Sequence, residues 1–346
     1  MTLHHRAIVL VLAAMSLTMA ACAPDEPLIT SFNDNYRVLF AATEPGLAVS
    51  LMPGATVVDA DLYRTLTGSS QTNPYVRMVQ YRNEIFCLQR DGSSIDVLSQ
   101  RADTLLRTID CAPYGRMTDI CFVNATTAYA THPDSNVVSV IDLTVNRAVT
   151  SISVGKTPIG ICSVGNQVCV ANQADNTVTI IDSRTNTKTA TLNVPAAPTY
   201  MAGDAERDQC VVVCLGEGKV DALPKSTPKM SFVNVVKKQV TNTLDVTNRP
   251  ADGPNLLPGG LVVTATGSAL VPCQQGLLRV LTSTRNKVSL LQFDPFTRIG
   301  YNAARAEILC VGADGVAITI FDEYGEVTKA SLTAPAAVRA LIGLAP

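Results

Sequence analysis

The sequence predicts an all-β fold of short four-stranded units closed into a ring. Three observations carry that expectation. Residues 168–202 read V-C-V-A-N-Q-A-D-N-T-V-T-I-I-D-S-R-T-N-T-K-T-A-T-L-N-V-P-A-A-P-T-Y-M-A, three runs rich in β-branched residues and broken by turn residues. The same cadence stands forty residues earlier, with Asp142 answering Asp182 and Pro158 answering Pro198. The apolar run at the position preceding those aspartates recurs seven times along the 346 residues. A lone unit of this kind exposes both sheet faces, and a circle of units covers them while leaving only short edges, so the expected architecture is a seven-bladed β-propeller.

The markers for the third strand are 48–51, 95–98, 138–141, 178–181, 230–233, 288–291 and 318–321. The second strand is expected at 37–41, 85–89, 127–131, 167–171, 209–214, 269–273 and 307–311. Six innermost strands precede these runs, at 75–80, 116–123, 159–164, 199–203, 260–265 and 298–303. The first unit has none before it. The run Ala337 to Ile342 at the far end of the chain fills the vacancy, so it is expected to close the ring by pairing with Arg37–Ala41. Spacing is irregular in the last third, which leaves six and eight units open.

The approach P-x-G-I, the second-strand V-A-N, the third-strand N-T-V-T-I-I-D and an outer strand ending in V-G resemble the YVTN-repeat β-propellers. The match is good over 127–202 and degenerate elsewhere. The resemblance implies fold and almost no chemistry, because propellers host lyases, lactonases, scaffolds and ligand traps alike.

Residues 1–21 have a basic start, an apolar stretch from Ala7 to Leu17 and small residues up to Cys22, the layout of a secretory signal. The M-A-A-C end resembles a bacterial lipoprotein signal. Cys22 would then carry the lipid, palmitate included, with 22–35 as tether and 36–346 as a single propeller domain. The alternative is ordinary cleavage after Ala21. The expected location is the outer membrane of an exported lipoprotein, extending to the cell surface. A net charge of −2 gives no electrostatic reason to expect nucleic acid as a partner.

Ten cysteines in an exported chain invite a disulfide reading. Their recurrence at equivalent strand positions fits small buried hydrophobes better. Cys210 and Cys214 share one strand and lie too far apart to bridge. Cys162 and Cys169 flank the turn at Gly165-Asn166, which sets them opposite each other and makes them the one plausible pair.

The chain beyond the signal has a single histidine, His132, expected as a solvent-facing turn residue. No nucleophile elbow, zinc-protease motif or phosphate loop occurs, so no catalytic residue, metal or cofactor is assigned. Hydrolysis is disfavoured, while acid–base work by Asp or Glu stays open. Tyrosine and arginine recur in the segments leading into the innermost strands: Tyr75, Arg77, Tyr114, Arg116, Tyr200, Arg298, Tyr301 and Arg339. Opposing loops add Arg90 and Gln173. Gathered at one axial mouth, these groups would form a cationic, amphipathic ring suited to a carboxylate, a phosphate or a conjugated ligand. Their alternative role is to plug the channel.

The function expected first is a ligand- or partner-binding module, monomeric or in complex with a membrane protein. Its partners would be a small molecule or an outer-membrane transporter. Repeat type and lipid signal resemble surface lipoproteins that pass corrinoids to such transporters. A lyase or lactonase, or an envelope scaffold, are the alternatives. The Pro/Gly-rich segment 248–260 and the polar loop 66–74 are long enough to serve binding.

Overall fold

The computed structural model describes residues 36–42, 46–52, 56–217, 226–246, 259–273, 276–292, 294–334 and 336–344. The expected signal peptide (1–21), the expected tether with Cys22 and most of the 248–260 segment lie outside the described residues.

Why the strands stop where they do is visible in the turns. In the third unit the Asp142 carboxylate accepts the Thr144 N–H at 2.8 Å, and Asn146 takes a left-handed φ of 55°. The fourth unit repeats this with Asp182, Arg184 and Asn186 at φ 56°. Asparagine tolerates that conformation and aspartate mimics a backbone turn, so each I-D-x-x-x-N phrase ends one strand and starts the next. At the opposite end, Asn136 and Asn176 also have positive φ. Their side-chain oxygens accept N–H groups from Thr157 and Ala197, 21 residues on, which ties the turn to the approach of the next unit.

Among the described residues the strands form seven antiparallel four-stranded units, the second and third joined by one parallel pairing, Arg147 with Asp110. From inside out, the first unit is Val338–Leu344, Tyr36–Ala42, Leu47–Met52 and Thr56–Asp59. The expected closure is thus present: Phe40 pairs with Leu341 and Leu39 with Ile342. The innermost strands of the second to seventh units are Tyr75–Tyr81, Ile120–Asn124, Pro158–Val164, Pro198–Asp204, Val262–Val263 and Phe296–Asn302.

Two expectations are corrected. The run 288–291 belongs to the outer strand Asn286–Gln292, and the third strand of the sixth unit is Gly276–Leu281. V-S-L-L at 288–291 imitates the V-S-V-I of Val138–Ile141, whereas L-L-R-V-L places an arginine inside the third strand. The segment 66–74 is also not wholly loop, since Leu62–Thr67 is a helix capped by the Asp61 carboxylate and closed by Gly68 at φ 75°.

Core layers lie between units, not within them. Ile342 and Leu344 pack with Leu39, Leu47, Leu62 and Tyr75 toward the second unit. Their neighbour Leu341 packs with Phe40, Leu309 and Ile318 toward the seventh. Period-2 alternation along one strand therefore staples two units at once. Adjacent innermost strands approach closely enough to need glycine. A Cβ at Gly203 would stand 2.5 Å from the Ser163 carbonyl oxygen, and one at Gly300 would stand 2.8 Å from that of Leu341.

The nine cysteines of the described residues are buried thiols. Cys162 does stand opposite Cys169 in the register, as its turn requires, and Cys210 of the fifth unit touches both thiols. The pair is not bridged.

Candidate functional site

A β-bulge at the entrance of the innermost strand decides which side chains reach the axis. The register skips one residue between Tyr75 and Arg77, between Pro198 and Tyr200, between Phe296 and Arg298, and opposite Ala41 and Ala42 at Arg339. An extra residue bends the strand and re-aims the side chains beyond it. The residue before the bulge is Tyr75, Pro198, Phe296 or Val338, and each is buried in the sheet stack. The residue after it is Arg77, Tyr200, Arg298 or Ala340, and these line an axial cavity together with the bulged Arg339.

That cavity has a volume of about 140 Å³, and all seven units contribute to its wall. At about 30 Å³ per water in the liquid it has room for about five waters. A wider space of about 510 Å³ continues along the same strands between the second, sixth and seventh units, past Gln80, Arg82 and Tyr301.

Charge in the axial cavity is unbalanced. Its charged lining residues are Arg77, Arg298, Arg339 and one acid, Asp119. Arg77 Nε donates to Asp119 Oδ1 at 2.9 Å, and the backbone N–H groups of Ile120 and Ile161 donate to the same carboxylate. Burial nevertheless pushes the Asp119 carboxyl up from its ordinary range, against the opposing pull of Arg77 and those N–H groups. Arg298 Nε donates at 3.3 Å to the carbonyl of Val338, the residue next to Arg339. Among the described residues no carboxylate pairs with Arg298 or Arg339, and the Arg339 Nε is buried without a hydrogen-bond partner. Tyr200 packs its ring on the core between the fifth and sixth units. Burial pushes its phenol up, while the nearby Arg298 and Arg77 pull the other way.

The remaining predicted residues are placed elsewhere. Tyr75 is a correction: it is fully buried and its hydroxyl donates to Asp96 at 2.7 Å, because it occupies the position before the bulge. Arg90 pairs with Asp91 and Arg116 with Asp134 on the outer rim, where each cation already has its acid. Tyr114 packs against the His132 ring, with centroids 5.6 Å apart. Gln173 donates to the Thr199 hydroxyl at 2.9 Å and so stands one layer behind the cavity wall. Tyr301 lines the wider space.

His132 is a second correction, since it is buried and not solvent-facing. The Gly115 carbonyl can only accept, so Nδ1 carries the proton at 3.0 Å and Nε2 accepts from the Ser139 hydroxyl at 2.8 Å. Asn172 holds the same place in the fourth unit and donates to Thr179 at 2.9 Å. The residue missed in the sequence was Asp119, whose T-D-I context carries no signal until the strands are assembled. Among the described residues no group of three His, Cys, Asp or Glu side chains is placed to hold a metal.

No family model matches the chain, and no curated protein matches it. Solved structures do. Hydrazine synthase of Kuenenia stuttgartiensis superposes with a TM-score of 0.60 at 12% identity, covering 80% of this chain and 91% of that one. The computationally designed protein Ika8 gives 0.62 at 12% identity, covering 89% and 87%. The Cps50 (Swd1) β-propeller domain of Myceliophteria thermophila gives 0.58 at 10% identity, covering 76% and 87%. At such identities the likeness concerns the fold alone, and the fold is that of a β-propeller.

Proposed function

We propose that this chain is a propeller binding module whose ligand enters the axial cavity. The observation that supports it is the bulge-directed convergence of Arg77, Tyr200, Arg298 and Arg339 on one water-accessible space walled by every unit. A channel plugged for stability alone would pair its cations, as the rim does with Arg90–Asp91 and Arg116–Asp134. Two cavity arginines lack that pairing among the described residues. The only carboxylate in the lining is Asp119, held by Arg77, which does not make the acid–base pair of a propeller lyase or lactonase.

The proposed setting is the cell envelope, with the chain anchored through a lipid on Cys22 and working beside an outer-membrane transporter. The signal-like residues 1–21 and the M-A-A-C end support this reading. The proposal extends to nutrient capture. A corrin macrocycle far exceeds room for about five waters, so corrinoid capture would fall to the rim loops and not to the cavity.

The test is affinity capture of small molecules from envelope extract on the folded protein, read by mass spectrometry. A species retained by the native chain and lost from an Arg298→Met/Arg339→Met variant supports the reading. Identical retention by both, or none by either, overturns it.

A further inference from the structure

The binding reading leaves the ligand class open, and the cavity's own chemistry narrows it. We infer that the axial cavity is a site for one compact anion, a phosphate or small carboxylate, gripped between Arg298 and Arg339. This assignment rests on the binding reading above.

Three features converge on it. The Arg298 guanidinium is fixed against the carbonyl of Val338, which places it beside Arg339 on the closing strand. Both arginines line one cavity, so an anion between them would offset their like charge and accept from their N–H groups. Arg339 lines the same cavity, and among the described residues no carboxylate pairs with it.

Charge balance points the same way. With Asp119 ionised the lining carries three arginines against one acid. Arg77 is committed to Asp119, so the free surplus resides on Arg298 and Arg339. Size sets the upper limit. A cavity of about 140 Å³ accommodates an anion of about five heavy atoms, the size of a phosphate or a small carboxylate. Tyr200 lines the same wall, with its phenol near Arg298 and Arg77.

The site also depends on ring closure. Arg339 is delivered by the last strand of the chain and Arg298 by the unit next to it, so an open ring would separate them.

The experiment is isothermal titration of the folded protein with inorganic phosphate and, separately, with acetate, in a zwitterionic buffer at low ionic strength. Variants are Arg298→Met, Arg339→Met, Arg339→Lys and the rim control Arg116→Met. Saturable one-to-one binding of either probe is expected, weakened tenfold or more by either cavity methionine and unchanged by the rim substitution. Arg339→Lys keeps the charge and should bind with an intermediate loss, which also separates charge from folding defects if Arg339→Met is unstable. Phosphate preferred over acetate marks a phosphoryl ligand, and the reverse order marks a carboxylate.

Absence of saturable binding, or equal loss in Arg116→Met, means an adventitious ion only and overturns the assignment. A captured envelope ligand that neither probe displaces overturns the anion class while leaving the binding reading intact. No captured ligand together with no anion binding removes both.

Discussion

Replacing Ile342 by alanine tests whether the closing strand carries weight in the ring. Ile342 is 6% exposed and sits in the layer between the first and second units, against Leu39, Leu47 and Leu62. Truncating a buried isoleucine costs about 2–5 kcal/mol, the transfer loss plus the cavity left behind. For a domain of some 310 residues the unfolding entropy scales to about 0.65 kcal/mol per kelvin. The melting temperature should therefore fall by about 3–8 °C. Differential scanning calorimetry of Ile342→Ala beside the exposed control Val236→Ala reads the effect, the control remaining within about 0.5 kcal/mol. A shift in Ile342→Ala no larger than in the control would refute the reasoning, since a strand that seals the ring cannot lose its core contact without consequence.

Single contacts give further expectations. Gly300→Ala places a methyl group 2.8 Å from the Leu341 carbonyl oxygen and 3.2 Å from its Cγ, so the seventh and first units must part. A loss of about 1–3 kcal/mol in chemical denaturation is expected. For His132, burial lowers the imidazole below its ordinary 6.5. The unfolded chain then takes up more protons than the native one below that value, so stability is complete above about pH 6.5 and declines as pH falls. His132→Asn should flatten that decline between pH 7 and 5, with a difference of at most about 1.4 kcal/mol per pH unit from one proton. A pH profile identical to the native one would contradict this. The thiols supply a chemical count. Burial pushes Cys111 and Cys214 up to about 12. The nine described cysteines should resist a thiol reagent in the native state and react together on unfolding. Nine reactive thiols in the mature protein accord with a lipidated Cys22, and ten contradict it.

The repeat was legible because its turns are chemically specific. Asp142 and Asp182 each close a turn with their own carboxylate, and Asn136, Asn146, Asn176 and Asn186 each adopt the left-handed conformation, so sequence and backbone agree residue by residue. Where those residues are missing, as at Gly276–Leu281, a neighbouring apolar strand could be mistaken for the marker. Closure was legible for the same reason in reverse: the first unit lacked an inner strand, and only the run at 337–342 could supply it.

The site was only half legible. Arginine and tyrosine near the entrances could be seen, but the direction of each depends on the bulge, and one residue of slip flips a side chain from axis to core. Tyr75 and Arg77 are two apart and would share a face in a regular strand. The extra residue between them sends one into the sheet stack and the other to the cavity. An alignment of Tyr75 with Phe296 and Val338 would have marked it as a core residue. The His132 assignment failed because a strand-end position reads as a turn until Ser139 and Gly115 are brought around it.

Closure by the C-terminal strand is the condition on which both the ring and the paired arginines rest, and amide hydrogen exchange read by mass spectrometry measures it directly. The account predicts that peptides spanning 338–344 exchange as slowly as those from the inner strands of the fourth unit, and that both open together with denaturant. Exchange of 338–344 within seconds, while the fourth unit stays protected, would contradict it.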